Sequence, residues 1–317
     1  MAKVVYSSRY NIGFFGVERL HPFDSRKYGR AWRLLRQREG KLLRSAHVPV
    51  DRPASFSELL LGHSAEYLGR IRQSGPLAAA LELPPLARAP AWLLRWRVVK
   101  PMLWAVRGTE LAFRAALDHG VAINLSGGYH HAKRTKGEGF CLFSDIAIAV
   151  RSLRQAGQLH DSSRIAYIDL DAHQGNGVCH QFVDDASVFI FDAYNREIYP
   201  GYDEIAQDRI DCKVALRSNT SGGEYLARLK EKLPGFLDGI SRSSPIELAI
   251  YNAGTDVIAD DPLGGLALAA EDVLERDLYV IDLLRRRGIP VAMLTSGGYT
   301  RDSYRLIAAT VEQLLQR

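Results

Sequence analysis

A chain of 317 residues, 47% of them hydrophobic, is long enough to bury a large core within one domain. Its net charge of +5 is compatible with nucleic acid as a partner, but the basic residues are scattered along the chain, which argues against such a partner. No run approaches the roughly 20 apolar residues of a membrane span, and no basic region leading into an apolar segment opens the chain, so we expect a cytoplasmic protein without a membrane span.

The three cysteines, Cys141, Cys179 and Cys212, lie far apart and form no C-x-x-C pair. This spacing argues against a disulfide framework and against a zinc site made of thiolates. We expect free thiols.

Short β-rich runs alternate with segments of helical periodicity along most of the chain. The predicted strands are, in chain order, Val121–Leu125, Ile165–Ile168, Val188–Phe191, Leu248–Tyr251 and Val291–Leu294. The predicted helices are Gly108–Ala116, Asp145–Gln155, Glu224–Leu237 and Ala269–Arg287. This alternation predicts a three-layer α/β/α fold with a central, mostly parallel sheet. We expect residues 1–317 to form a single domain, with 72–92 as a surface excursion.

Polar residues follow each predicted strand. In chain order the segments that follow are "SGGYHH", "DLDAHQGNG", "DAYNREIYPG", "NAGTDVIADDP" and "TSGGYT". Taken singly, such residues are typical of helix caps or polar loops. Because open parallel sheets bind ligands beyond the carboxyl ends of their strands, the set together predicts one shared site.

Within this set, Asp171 and His173 point to the same side if the backbone stays extended past Ile168, and Asp256 can supply a third ligand. Two carboxylates and one imidazole with an open position suit a catalytic Zn²⁺ ion, and Fe²⁺, Co²⁺ or Mn²⁺ would suit the same donors. Hydrolysis also needs a base, an acid and an oxyanion donor. His130 and His131 can provide the first two, and Tyr299, which follows two glycines, can provide the third.

These motifs resemble those of the zinc-dependent histone deacetylases of the arginase/deacetylase superfamily. The resemblance runs almost end to end, through "YNIGFFGVERLHPFDSRKYGR", "GHSAEYL", "GGYHHAKRTKGEGFCLFSDIAIA", "DLDAHQGNG", "YNREIYPG", "GTDVIADDPLGGLAL" and "TSGGY". It is strongest to the class IV, or eleventh-isoform, branch, on "HPFDSRKYG", "DAHQGNG", "YNREIYPG" and "SGGY".

The resemblance implies a role for each matching residue. Asp171, His173 and Asp256 would bind one Zn²⁺; His131 would transfer the proton; His130, oriented by Asp169, would act electrostatically; Asn176 would orient His131; Tyr299 would polarise the acyl carbonyl. Phe140 and Tyr199 would line the acyl-lysine tunnel, and the Gly139 carbonyl would accept the substrate amide proton. The family also holds a structural K⁺ through backbone carbonyls around Asp169, Asp171, His173 and Asp192.

The expected activity is removal of acetyl and long-chain fatty acyl groups from lysine side chains of proteins or peptides. Three alternatives stay open: a deacetylase of small acylated amines such as acetylpolyamines, a catalytically silent relative, and a nucleic-acid-binding protein that retains only the fold. The two-manganese ureohydrolases of the same superfamily are disfavoured, because Gly175 and Ile258 stand where their second metal needs acids. Other deacetylase branches have an aspartate at the position of Asn176, so we expect His131 to titrate lower here than beside an acid.

Overall fold

The computed structural model describes residues 1–13, 24 and 26–317, and within them one parallel sheet forms the centre of the molecule. Its strands are β1 (Lys3–Tyr6), β2 (His47–Pro49), β3 (Val121–Asn124), β4 (Arg164–Asp169), β5 (Val188–Asn195), β6 (Cys212–Leu216), β7 (Ile246–Asn252) and β8 (Val291–Leu294). Their order across the sheet is β2-β1-β3-β8-β7-β4-β5-β6, and every pairing is parallel. The central strands β3, β4, β7 and β8 are buried on both faces, as a parallel sheet covered by helices requires.

The described helices are α1 (Lys27–Arg38), α2 (Gly40–Ala46), α3 (Phe56–Gly62), α4 (Ala65–Arg70), α5 (Ser74–Ala80), α6 (Ala91–Leu94), α7 (Lys100–His119), α8 (Asp145–Gln155), α9 (Asn176–Gln181), α10 (Glu204–Arg209), α11 (Gly222–Ser241), α12 (Ala270–Arg286) and α13 (Ser303–Gln316). A π-helical turn at Arg95–Val99 joins α6 to α7. Helices α3 and α7 both pack against α8, while α13 packs against α1 and α12, and α12 also packs against α11. The predicted three-layer α/β/α class is therefore confirmed.

All five predicted strands exist, and β8 has the predicted bounds. The predicted end of the third strand at Phe191 is wrong, because β5 continues to Asn195. Asp192 lies inside the strand, where its backbone pairs with Lys213 of β6. A buried aspartate looks like a strand end in sequence, but backbone pairing to a neighbour holds the extended conformation through it.

Residues 72–92 are more than a surface excursion. They include α5, whose Leu77 and Ala80 are buried, and Leu81 is buried just beyond its end. Glu82 then accepts a hydrogen bond from the backbone N–H of Gly139, at 3.2 Å. This segment therefore packs against the loop that carries predicted site residues.

Two further expectations concern the whole described chain. All three cysteines are free, with Cys141 and Cys179 buried. None of the described helices combines the length and the apolar composition that a bilayer crossing demands. The class IV motif "HPFDSRKYG" lies partly outside the described residues, since 21–23 and 25 are not among them.

Candidate active site

The site lies where the loops after the central strands meet. Strands β3, β8, β7 and β4 are neighbours in the sheet and run in the same direction, so their carboxyl ends share one edge. The loops that follow them carry the paired histidines, Tyr299, Asp256 and the D-x-D-x-H segment, respectively. Sheet topology thus brings together residues that are far apart in sequence, such as 130 and 299, which are separated by 169 positions.

Asp171, His173 and Asp256 form a buried cluster whose candidate ligand atoms all lie within 4.8 Å of one another. His173 Nδ1 is 3.2 Å from Asp171 Oδ1 and 3.0 Å from Asp256 Oδ2. It is the one group of this kind found among the described residues. Two carboxylates and an imidazole that converge in this way can bind a divalent cation.

Backbone groups orient both carboxylates. Asp171 Oδ2 accepts hydrogen bonds from the Gly297 N–H and the Ser296 hydroxyl, each at 2.9 Å. Asp256 Oδ1 accepts one from the Ala172 N–H, also at 2.9 Å. A Cβ at Gly297 would collide with both carboxylates, so only glycine permits the Tyr299 loop to come this close.

The grouping of Asp171 with His173 assumed a backbone that stays extended past Ile168, and this condition holds only as far as Asp169. Strand β4 ends at Asp169, and residues 171–173 form a bend. Asp171 and His173 converge because the bend closes on itself: the His173 N–H donates to Asp171 Oδ1 at 3.1 Å. The prediction that Asp171 and His173 lie on the same side was therefore correct, but the cause is the bend and not the alternation of side chains along a strand.

His130 is held against Asp169. Its Nδ1 lies 2.8 Å from Asp169 Oδ2, and Asn252 Nδ2 donates to the other oxygen of this carboxylate at 2.9 Å. The Tyr167 hydroxyl also donates to Asp169 Oδ2. Burial works against charge on the imidazole, but Asp169 and Asp171 together raise the pKa of His130 to about 9.

His131 lies in the opposite electrostatic environment. Its Nδ1 is 2.8 Å from the Oδ1 of Asn176, an uncharged partner, and its ring lies beside that of His130. Burial, with added repulsion from His130 and His173, holds the pKa of His131 well below its usual value. Two adjacent histidines therefore have pKa values that are pushed apart, which is typical of acid-base sites.

Tyr299 lies over the carboxylate cluster. Its ring centroid is 5.9 Å from that of His173 and 6.1 Å from that of Phe140. Burial and the nearby Asp256 and Asp171 raise the pKa of the phenol well above 10, so the hydroxyl keeps its proton at neutral pH. It can therefore act as a hydrogen-bond donor.

The predicted tunnel residues also surround the cluster. The ring of Tyr199 is 4.9 Å from that of His131, and 39% of the Tyr199 residue surface is exposed, which places it between the site and solvent. Phe140 and Gly139 both have positive φ angles, of 64° and 55°. The Cys141 thiol contacts the Gly139 carbonyl at 3.2 Å.

Sequence reasoning missed three charged residues that support these groups. Lys27 is fully buried, and its ammonium donates to the carbonyls of Ser296 and Gly297 at 2.5 and 2.7 Å. Asp261 accepts a hydrogen bond from the Tyr299 N–H at 2.7 Å. Glu138 accepts one from Asn176 Nδ2 at 2.9 Å. Only their positions inside "HPFDSRKYG", "ADDP" and "KGEGF" signalled them.

Comparison with known proteins agrees with the fold and site. The chain matches the family model of the histone deacetylase domain over residues 21–315. It is 43% identical to Histone deacetylase 2 of Arabidopsis thaliana over 312 residues, which are 98% of this chain and 78% of the relative. An uncharacterized protein of Picosynechococcus is 36% identical over 210 residues, 66% of either chain.

A solved structure resembles the chain as well. The crystal structure of the HDA15 HD domain has a TM-score of 0.74 at 19% identity, covering 99% of this chain and 89% of that one. At this identity the likeness shows the fold alone. The fold and the family match together define a hydrolytic deacetylase. The chain belongs to the histone deacetylase domain family, within the arginase/deacetylase superfamily.

Proposed function

We propose that this enzyme removes acyl groups from the side-chain amine of lysine in proteins or peptides, with one bound Zn²⁺ and an activated water. The observation that carries the proposal is the buried Asp171-His173-Asp256 cluster, with His131 and Tyr299 beside it, in a chain of the histone deacetylase domain family. This arrangement supplies a cation site, a base and a hydrogen-bond donor around one point.

The donor set fits zinc. Burial and the charge of Asp171 raise the pKa of Asp256, because two buried carboxylates share one small volume. Against the cost of burial, the same two carboxylates raise the pKa of His173 to about 10. A divalent cation satisfies all three side chains at once. Bound zinc would acidify a water molecule and polarise the acyl carbonyl.

The two histidines divide the proton transfer between them. His131, whose pKa is depressed, is neutral at pH 7 and can take a proton from water, then pass it to the lysine leaving group. His130, whose pKa Asp169 and Asp171 raise above its usual value, can carry a positive charge that stabilises the negative charge developing on the substrate. Tyr299 donates a hydrogen bond to the same developing oxyanion.

The small space beside the cluster favours acetyl over longer acyl groups. The space bounded by Gly128, His131, Phe140 and Tyr299 has a volume of about 30 Å³. That is room for about one water-sized group. Longer fatty acyl chains, which the class IV resemblance suggests, would require the glycine-rich walls to move apart. We assign the chain to class IV on Asn176 and its surrounding motif.

A structural K⁺ belongs to the same proposal. Asp192 Oδ2 accepts a hydrogen bond from the Gly175 N–H at 3.0 Å, whereas the buried Oδ1 has no partner among the described residues. Burial and the charge of Asp169 raise the pKa of Asp192 well above its usual value. A monovalent cation held by backbone carbonyls near Asp169, Asp171 and His173 would offset this cost.

A lysine-deacylase assay over acyl lengths from acetyl to myristoyl tests the function. We expect chelator to abolish turnover of acetyl-lysine peptides and Zn²⁺ to restore it. Reconstitution with Fe²⁺ or Co²⁺ is measured in parallel. Tyr299→Phe should lower kcat by about 10²- to 10³-fold, because one oxyanion donor is lost. No turnover of any length by zinc-loaded protein would refute the proposal, and faster turnover of acetylspermidine than of any peptide would reassign the substrate to small amines.

A further inference from the structure

Asn176 connects the candidate base to a carboxylate. One side of its amide faces His131, with Oδ1 at 2.8 Å from Nδ1, and the other faces Glu138, to which Nδ2 donates at 2.9 Å. All three residues are buried, with exposed fractions of 3% for His131, 2% for Asn176 and 9% for Glu138. Glu138 itself lies in the loop that follows the paired histidines.

The chemistry of these groups fixes which way the amide points. An ionised carboxylate can only accept hydrogen bonds, so Glu138 selects the NH₂ end of Asn176. The carbonyl end then faces His131 and can itself only accept, so the proton of the neutral imidazole must be on Nδ1. This leaves the lone pair of Nε2 free, on the edge of the ring that a base must present to water.

Lysines keep Glu138 charged. Its Oε1 is 3.1 Å from Lys133 Nζ, and its Oε2 is 2.5 Å from Lys136 Nζ. Burial alone would raise the pKa of this carboxyl, but the two ammonium groups lower it below its usual value. Lys133 is also paired with Asp203, at 3.0 Å, which ties the loop to the start of α10.

A cavity beyond Asn176 makes this restraint necessary. Glu138, Asn176 and Tyr199 lie in the wall of a space of about 540 Å³. Water there could hydrogen-bond either end of the amide and would favour neither orientation. A fixed carboxylate acceptor on that side removes the ambiguity.

We propose that Glu138 is a positioning residue: through Asn176 it holds His131 in the tautomer that carries its proton on Nδ1 and presents Nε2 as the base. The expected effect on catalysis rests on the proposed function, in which His131 is the base. The assignment of the tautomer does not depend on that function. An aspartate at position 176 would by itself accept the Nδ1 proton of His131 and fix the same tautomer. Here the negative charge is on Glu138, which acts on His131 through the amide of Asn176.

The test combines two substitutions. Glu138→Gln should lower kcat by about tenfold with KM nearly unchanged, because its side-chain amide can face Asn176 with either end. In an Asn176→Asp background the same substitution should raise kcat, because Glu138 would there repel the new carboxylate. Glu66→Gln removes a carboxylate that is paired with Arg70 on the rim of the same cavity, and it should change neither background.

Nitrogen NMR of His131 gives a readout that needs no turnover. At neutral pH the wild-type ring should show a protonated Nδ1 and an unprotonated Nε2, and Glu138→Gln should show a mixture. A protonated Nε2 in the wild-type protein would overturn the proposal even if the variant failed to fold. So would a Glu138→Gln effect on kcat of the same sign in both backgrounds. Absence of deacylase activity in a protein with the expected tautomer would refute the proposed function alone.

Discussion

Asn176 contacts His131 directly, so the charge of the residue at this position acts on that imidazole. Its neutral amide accepts from His131 but cannot balance an imidazolium charge, and burial already holds the pKa of His131 well below its usual value. Asn176→Asp places a negative charge 2.8 Å from Nδ1 and should raise this pKa. Because the proposed base is the neutral ring, protonation would then stop activity at a higher pH than in the wild-type enzyme.

The measurement is the pH dependence of kcat/KM for an acetyl-lysine peptide. The acidic limb of the variant should move to higher pH by about one unit or more. Asn176→Ser, which is also uncharged, should leave the limb near its wild-type position. If the aspartate variant retained the wild-type limb, the group that titrates there would not be His131.

Lys27 is a second residue that sequence could not assign. A lysine in a helical pattern is normally solvent-exposed, yet this one is buried and donates to successive carbonyls of the loop that ends at Tyr299. Burial lowers its pKa to about 8, opposed by Asp256, Asp171 and Asp261. Such a contact joins residues about 270 positions apart, and no local pattern encodes it.

Replacing Lys27 should therefore loosen the Tyr299 loop. Lys27→Met removes the donor and leaves buried carbonyls unsatisfied, which should lower the free energy of unfolding by about 2–4 kcal/mol and also lower kcat. Urea unfolding and steady-state kinetics measure the two effects. Lys41→Met, at an exposed site in α2, is the control. A stable variant with wild-type kcat would show that the loop keeps its shape without the ammonium.

At the scale of elements, the sequence predicted five of the eight described strands, and it missed β1, β2 and β6, which lie towards the two ends of the sheet. β4, β7 and β8 are continuous apolar runs because the sheet is covered on both sides. β2 has only three residues, and β6 is an edge strand that reads CKVAL. An edge strand tolerates polar residues because one of its edges faces solvent. Its hydrophobic pattern in the sequence is therefore weak. The clustering of the loops was predictable because it follows from parallel topology; the bend at 171–173 was not.

Helix α3 shows an element whose stability depends on pH. It begins with a capping box, in which the Ser55 N–H donates to Glu58 at 2.6 Å and the Glu58 N–H donates to the Ser55 hydroxyl at 3.3 Å. Arg52 binds both oxygens of Glu58 at 2.7 Å. Against a smaller cost of burial, the bond to Arg52 contributes most to lowering the pKa of Glu58 from 4.5 to about 2.

Because the folded pKa is the lower one, this carboxylate stabilises the fold above pH 4.5, and its contribution is lost as the pH falls towards 2. Glu58→Gln should cost about 1 kcal/mol at pH 7 and progressively less below pH 4.5. Urea unfolding across this range measures the difference. Glu66→Gln, at an exposed ion pair in α4, should cost less at every pH. A cost for Glu58→Gln that is constant with pH would contradict the assignment.

At the scale of the whole molecule, the sheet positions two buried acids against each other. The fold places the loop of Asp256 beside that of Asp171 although burial and mutual repulsion raise the pKa of Asp256. His173, whose pKa the two carboxylates raise to about 10, offsets part of this repulsion, and a divalent cation bound between the two acids would offset more of it. Zn²⁺ binding should therefore stabilise the entire fold, by several degrees in Tm at saturating metal.

Asp256→Asn separates this effect from non-specific metal binding. The variant keeps an oxygen for the Ala172 N–H but removes one of the two charges. Chelator-treated Asp256→Asn should therefore melt above chelator-treated wild-type protein, and Zn²⁺ should no longer raise its Tm. Asp260→Asn, at an exposed acid in the same loop, should melt and respond like the wild type. An equal zinc response in all three proteins would mean that the stabilising ion binds elsewhere, because the repulsion between Asp171 and Asp256 is relieved only where both carboxylates contact the cation.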